Sequence, residues 1–251
     1  MNDPGPDPIG ILNAAIETLE EATERFVAEL GPANWVGPRD SGHFRFARRD
    51  PQVIQVLRCV RVASSLWACM TLLESGFVTE IGVLLRTVHE FLEDIGFMHS
   101  ALQGDPSPYQ IEFVESFFVA TPTTVEGLQS EPRRSRVARQ RVRASQARAL
   151  SPDDPHRMVQ ISRVIEGVFG GFVHGSYASI MDMYEGGTNV FRLRGMLGTP
   201  RIDTWRWQIA THVQRSLNDF GFVAWSLRID DLFHSLRAAR DAFERSVAYQ
   251  R

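Results

Sequence analysis

Arg86 and Glu90 are separated by four positions in a stretch with helical periodicity, so their side chains lie one turn apart on the same side of a helix. The simplest interpretation is an exposed ion pair, worth about 0.3–0.5 kcal/mol. The alternative is a buried polar cluster completed by His174, in which Arg86 fixes the carboxylate and Glu90 orients the imidazole. A catalytic role for these three residues is the less favoured interpretation, because buried ion networks are as often structural as functional.

Residues 132–150 form a second chemically distinctive segment, with seven arginines and no acid. The rest of the chain then carries a net charge of about −10, so the segment balances an acidic remainder. As a nucleic-acid site it offers four candidate phosphate contacts, Arg133, Arg136, Arg139 and Arg143. We favour an exposed helix or a flexible excursion instead, because no aromatic residues interleave with the arginines for base stacking.

The sequence contains no recognisable motif for another kind of functional site. All 27 basic residues are arginine, so Schiff-base chemistry and the lysine of a phosphate-binding loop are excluded. Asp231 and His234 have a metal-like spacing, but no second motif pairs with them. There is no glycine-rich phosphate loop and no nucleophile elbow. We therefore predict no metal and no cofactor.

The apolar residues that surround these positions recur every three to four residues, which predicts helices almost throughout. Asp50-Pro51 and Asp154-Pro155 combine an N-cap acid with proline at the first helical position, and Asp203-Thr204 is read as a further start. The segment 187–198 alternates weakly and is predicted to be a loop or small hairpin. Clustered glycines and prolines predict a long loop over 31–42.

The stretch 77–102 is apolar on most sides, which is typical of a central, buried helix. We expect it to be the hub of an all-α, single-domain bundle covering residues 9–251, with residues 1–8 as a disordered tail. Gly170-Gly171 is expected to break a later helix just before His174.

Composition predicts a protein of the reducing cytoplasm without a membrane span. Cys59 and Cys69 lie about 15 Å apart along one predicted helix, too far for a disulfide between them. The N-terminal residues lack a basic and an apolar region, so no signal peptide is predicted. The uncharged stretch 167–181 is shorter than the roughly 20 apolar residues that a span needs.

The pattern from Leu73-Glu74-Ser75-Gly76 to Arg86-x-x-x-Glu90, with Val173-His174-Gly175-Ser176 further on, resembles a family of uncharacterised bacterial helical proteins. Its members join two helices at a Ser-Gly turn and carry Arg-x-x-x-Glu in the second. The resemblance covers about residues 55–185 and implies an all-helical fold. It implies no activity, because the family has none that is settled.

A more distant comparison is with the higher-eukaryote-and-prokaryote nucleotide-binding helical domain, many of whose members are ribonucleases. Its Arg-to-His spacing occurs twice, at Arg206–His212 and Arg228–His234. Trp207 and Ile229 stand where that family has a polar residue, and two matches are what chance provides. His212 lies on an apolar stripe, so we interpret it as a core histidine.

These observations favour a cytoplasmic interaction or regulatory module whose partner is a protein or a second copy of the chain. The alternative is an RNA-directed enzyme or nucleic-acid binder that uses the arginine segment and the polar cluster. An enzyme is the less favoured of the two, and nucleic acid is the less favoured partner.

Overall fold

The structure is a computed structural model that describes residues 7–40, 42–119 and 137–248. Of these residues 73% are helical, and the two sheets within them are both small. The all-α prediction is therefore confirmed. The predicted tail, apart from Asp7 and Pro8, lies outside the described residues, as do Arg133 and Arg136.

Nine helices lie within the described ranges. They are α1 (Pro8–Leu30), α2 (Pro51–Ser75), α3 (Val78–Leu102), α4 (Pro108–Phe117), α5 (Arg139–Leu150), α6 (Pro155–Val173), α7 (Tyr177–Met181), α8 (Arg201–Ser226) and α9 (Asp230–Ala248).

Capping acids set three of these starts. The Asp50 and Asp154 side chains accept hydrogen bonds from the backbone N–H groups of Val53 and Arg157, with proline at the first helical position in both cases. Asp7 caps α1 in the same way, so the helix begins at Pro8, one residue before the predicted start of the domain at residue 9. The predicted start at Asp203-Thr204 is two residues late, because α8 begins at Arg201 and Asp203 lies in its first turn.

The Ser75-Gly76 turn joins α2 to α3 as the sequence predicts. Gly76 adopts a left-handed conformation with φ of 81°, and its N–H caps the carbonyls of Leu72 and Leu73. Its carbonyl accepts a hydrogen bond from the Met196 N–H at 2.7 Å. A side chain at position 76 would collide with Met196 and Leu197, so the turn requires glycine for space as well as for φ.

Helix α3 is the hub that the sequence predicts. It packs against α2, α8, α6 and α5, and Leu92, Ile95 and Phe97 have no exposed surface. The main core joins α1, α2, α3, α8 and α9, while a smaller cluster of Ile54, Phe97, Met98, Val137 and Val142 lies under α4 and α5. Helices α2 and α3 therefore contribute to both cores.

Two hairpins complete the chain. Strands β3 (Tyr184–Glu185) and β4 (Val190–Phe191) pair in antiparallel fashion, so a small hairpin does form, three residues earlier than predicted. Strands β1 (Asn34–Val36) and β2 (His43–Arg45) also pair; β1 lies within the stretch 31–42 that is predicted to be a loop, and β2 follows that stretch directly. Three-residue strands between glycines and prolines are too short to show the alternation that predicts a strand.

Helix α2 is the one described helix that is long and apolar enough to cross a membrane, and half of its most apolar stretch is buried within the fold. It packs against α1, α3 and α8. A buried core helix passes the same test of length and composition as a membrane span.

Candidate functional site

Three polar residues in the middle of the hub helix face inward. His89, Glu93 and Asp94 are 1%, 0% and 2% exposed. A buried carboxylate is costly unless a cation and hydrogen bonds compensate for the lost hydration. The neighbouring helices therefore have to supply cations at these positions.

Two arginines of α5 supply most of that compensation. Arg139 donates to the Oε2 atom of Glu93 at 2.8 Å, to the Glu90 carbonyl at 2.8 Å, and also to Asp94. Arg143 donates from Nε to the Oε1 atom of Glu93 at 2.7 Å and from its terminal nitrogen to Glu166 of α6. Glu93 is thus held between two guanidinium groups, each of which reaches a second acid.

Two further arginines, Arg58 and Arg86, bind the same group of acids. Arg58 of α2 lies 2.8 Å from the Oδ2 atom of Asp94. Arg86 lies 2.8 Å from Glu90 and 2.9 Å from Glu166. We call the set the charge network; it comprises five arginines and five acids, namely Arg58, Arg86, Arg139, Arg143, Arg215, Glu90, Glu93, Asp94, Glu166 and Asp219.

Arg215 joins the network to a pair of buried histidines. Its terminal nitrogen lies 2.8 Å from the Nδ1 atom of His89, which therefore accepts and carries no proton there. The proton of this ring is therefore on Nε2, which lies 3.3 Å from Glu93 Oε1. The His212 ring centre lies 6.4 Å from that of His89. His212 is 5% exposed and its Nδ1 pairs with the Gln208 carbonyl, so the prediction of a core histidine is confirmed.

The electrostatics of the network follow from burial and these contacts. Burial alone would raise the pKa of Glu93, but the adjacent His89 ring and the Arg139 guanidinium lower it to about 2. Burial raises the pKa of Asp94 even though Arg139 and Arg58 oppose that change. Burial lowers the pKa of His89 and lowers that of His212 to about 4, so both rings are neutral at pH 7.

The structure brings two of the three predicted cluster residues together. Arg86 and Glu90 form their ion pair, and the third member is Glu166 rather than His174. His174 caps the C-terminal end of α6 and is exposed, about 12 Å further along the helix axis than Glu166. The helix ends just before His174 as predicted, although Gly170 and Gly171 are themselves helical and the last helical residue is Val173. The imidazole therefore stays at the surface.

The described part of the arginine segment differs from both interpretations of it. Helix α5 is packed against α3 and α6, with Val142 and Ala147 buried, so it is neither an exposed helix nor a flexible excursion. Arg143 is 4% exposed, and its partners are acids of the same chain, as are those of Arg139. These two candidates are therefore not available to phosphate groups, while Arg133 and Arg136 lie outside the described residues.

The contribution of Glu93, Asp94 and Glu166 was missed by sequence reasoning, although a signal was present. A helix predicted to be apolar on most sides leaves no solvent-facing side for two consecutive acids, so Glu93 and Asp94 require buried cations. The segment richest in cations follows about 45 residues later. The charge network contains five positive and five negative groups, and its centre is closed to water. We therefore interpret its role as structural, in holding the neighbouring helices together.

A second feature is an exposed apolar surface on α6 and α7. Ile161, Val164 and Val168 lie on the outer side of α6 and are 46%, 66% and 57% exposed. Val173, at the end of α6, and Tyr177 and Ile180 of α7 are also exposed, and Tyr177 is 80% exposed. We call these six residues the α6–α7 face. Apolar side chains that are exposed singly are ordinary, whereas several on one side of a helix are less common.

Comparisons of the chain with family models, with curated proteins and with solved structures find no match.

Proposed function

We propose that this chain is a cytoplasmic interaction module that works without a cofactor and that associates with a second copy of itself through the α6–α7 face. The observation that carries the proposal is the outer side of α6, where three large apolar residues at helical spacing point away from the fold. The opposite side of α6 packs against α3 and α5. An amphipathic helix that buries one side normally keeps polar residues on the other.

The same side of α6 also permits a close approach. A side chain added at Gly167 would meet no atom within 4 Å, so the backbone there is open to a neighbour. Small residues beside an apolar stripe allow two helix axes to pass close together. The valines flanking Gly167 would then pack against the same residues of the partner.

The ends of α6 favour a second copy as the partner. In an interface with two-fold symmetry the same surface of both copies is in contact. Residues at one end of that surface therefore meet residues at the other end of the partner's surface, so the surface must be complementary to itself. Val164 is midway between Asp154 and His174 in the sequence. Antiparallel pairing about Val164 places the acids Asp153 and Asp154 of one copy beside His174 of the other, where a carboxylate is able to accept a hydrogen bond from the imidazole N–H.

A cytoplasmic location is supported by the cysteines. Cys59 and Cys69 are both free and buried, which is the usual state of thiols in a reducing compartment. The alternative function, an RNA-directed enzyme, is less favoured. Its candidates Arg139 and Arg143 bind acids, and His174 lies apart from Arg86 and Glu90.

The experiment is a molar-mass measurement by light scattering coupled to gel filtration. The wild-type chain should elute with twice the 28.3 kDa of one chain at micromolar concentration. Val164→Glu should give the monomer, because a carboxylate at the two-fold axis faces its own copy. Val60→Glu is the matched control, since Val60 is an exposed valine on α2, away from this face. A monomeric wild type, or equal dissociation by both variants, would refute the proposal.

A further inference from the structure

The β1–β2 hairpin carries an unusual combination of exposed aromatic and basic side chains. Trp35 of β1 is 47% exposed and Phe44 of β2 is 69% exposed, and their ring centres are 5.1 Å apart. The chain then continues through Arg45, Phe46 and, after two residues, Arg49. Aromatic rings alternating with guanidinium groups are the residue pattern that binds nucleobases and phosphates together.

A cavity of about 430 Å³ opens beside this hairpin. Phe44, Phe46, Phe117 and Phe118 supply aromatic walls, and Arg45 and Arg49 reach it from the hairpin side. The volume falls in the range of about 300–1,000 Å³ that small-molecule sites occupy. It is a concave, largely apolar site with a few convergent cations.

The charges at this cavity are positive and available. His43, Arg45 and Arg49 are its ionisable lining residues, and no acid is among the described residues that line it. Arg45 donates from Nε to the His43 ring at 2.7 Å, which holds the guanidinium along the strand. Within the described ranges Arg49 is exposed and forms no ion pair with an acid, unlike the arginines of the charge network.

The aromatic wall is fixed on its far side. Arg58 lies over the Phe117 ring, 5.0 Å from its centre, and is itself tied to Asp94. Phe117 and Phe118 meet edge to face with ring centres 5.2 Å apart. One wall is therefore held by the bundle, while Phe44 on the other side contacts Trp35 edge to face and is still 69% exposed.

We propose that this cavity binds a nucleotide, with the base against the phenylalanine rings and the phosphate between Arg45 and Arg49. The planar base matches the aromatic walls, and the phosphate matches two guanidinium groups that have no acidic partner among the described residues. The site is independent of the α6–α7 face. Its ligand is either a free mononucleotide or the end of a single strand, since both present the same chemistry.

The test is calorimetric titration of the full chain with four probes: 5′-AMP, adenosine, inorganic phosphate and a 5′-phosphorylated ten-nucleotide oligo-A. We expect 5′-AMP to bind with Kd below about 1 mM, and adenosine and phosphate to bind at least about tenfold more weakly, because each presents half of the ligand. An oligonucleotide that binds at least tenfold more tightly than 5′-AMP identifies a single strand as the source. Equal affinity identifies the free nucleotide.

Substitutions of residues that line the cavity test whether 5′-AMP binds there. Phe44→Ala should weaken 5′-AMP at least about fivefold, the scale of one lost base–aromatic stack, and Arg49→Gln should weaken it comparably. Both side chains are exposed, and unchanged thermal unfolding verifies the fold. Arg39→Gln is the control, because Arg39 is an exposed arginine between the same two strands that does not line the cavity. No saturable binding of any probe at 1 mM, or equal loss in all three variants, would overturn the proposal.

Discussion

The Oε1 atom of Glu93 lies 2.7 Å from the Nε atom of Arg143, and both side chains are almost fully buried. The two residues come from the hub helix and from the arginine segment, fifty positions apart. The acidic body and the basic segment therefore neutralise each other through specific pairs inside the fold, and not only through overall charge.

Removing the charge of Glu93 should be strongly destabilising. Glu93→Gln keeps the shape of the side chain but leaves Arg139 and Arg143 buried beside a neutral group. The loss in free energy of unfolding is expected to be about 3–5 kcal/mol, the scale for breaking a buried pair on one side. Urea unfolding followed by circular dichroism measures it.

Glu90→Gln is the matched control on the same helix. The Glu90 side chain is 34% exposed and pairs with Arg86 near the rim, so its loss should stay below about 1 kcal/mol. The bond from Arg139 is to the backbone carbonyl of Glu90 and survives the change. Equal losses in the two variants would show that the buried and rim acids do not differ.

Arg143→Lys should destabilise the protein although the charge is kept. The guanidinium of Arg143 bridges Glu93 and Glu166 from two nitrogens in a fixed plane, whereas an ammonium group is a single compact donor. We expect a loss of about 2–3 kcal/mol. The same substitution at Arg148, which is exposed on the same helix, should change stability by less than about 0.5 kcal/mol. A tolerated lysine at position 143 would argue against the bridging geometry.

Stability should fall on mild acidification because of His212. Its pKa is lowered from 6.5 to about 4 in the folded protein, so between those pH values the unfolded chain binds more protons. This contribution is present above pH 6.5 and should decrease by about 2 kcal/mol between pH 7 and pH 5. Burial raises the pKa values of Asp94 and Asp219, which act in the opposite direction, so the difference from a variant is the proper measure.

His212→Asn supplies that difference, because an asparagine amide is neutral at every pH in the range and is able to donate to the Gln208 carbonyl as Nδ1 does. The wild-type curve should be steeper than the variant curve between pH 7 and pH 5. Parallel curves would mean that His212 accepts a proton in the folded state as readily as in the unfolded state.

Local signals in the sequence predicted most of the scaffold. The Asp-Pro starts of α2 and α6, the glycine turn at Gly76 and the central position of α3 each depend on residues close together in the chain. Capping geometry and helical periodicity are set by near neighbours, so one sequence suffices to read them.

The ion-pair partners of the buried charges could not be predicted from near neighbours in the sequence. Arg86 was paired correctly with Glu90, one turn away, but Glu166 and not His174 completes the contact, because which side of α6 meets α3 is decided by packing. Arg139 and Arg143 looked like solvated charges because the acids that bind them are distant in the sequence: Glu93 lies about 50 residues earlier, and Glu166 lies 23 residues after Arg143. The face of α6 left exposed depends on the same packing.

Cysteine cross-linking tests the central proposal, self-association through the α6–α7 face, most directly. Val164→Cys introduces a thiol at the proposed two-fold axis, and the two native cysteines are buried and do not interfere. When two copies pack about Val164, the Cα atoms of the two introduced cysteines lie within the roughly 4.4–6.8 Å of each other that a disulfide needs. Under mild oxidation at micromolar concentration, most of the Val164→Cys chain should become a covalent dimer that reductant reverses, while Val60→Cys forms no covalent dimer. A Val164→Cys chain that cross-links no more than Val60→Cys would contradict the account.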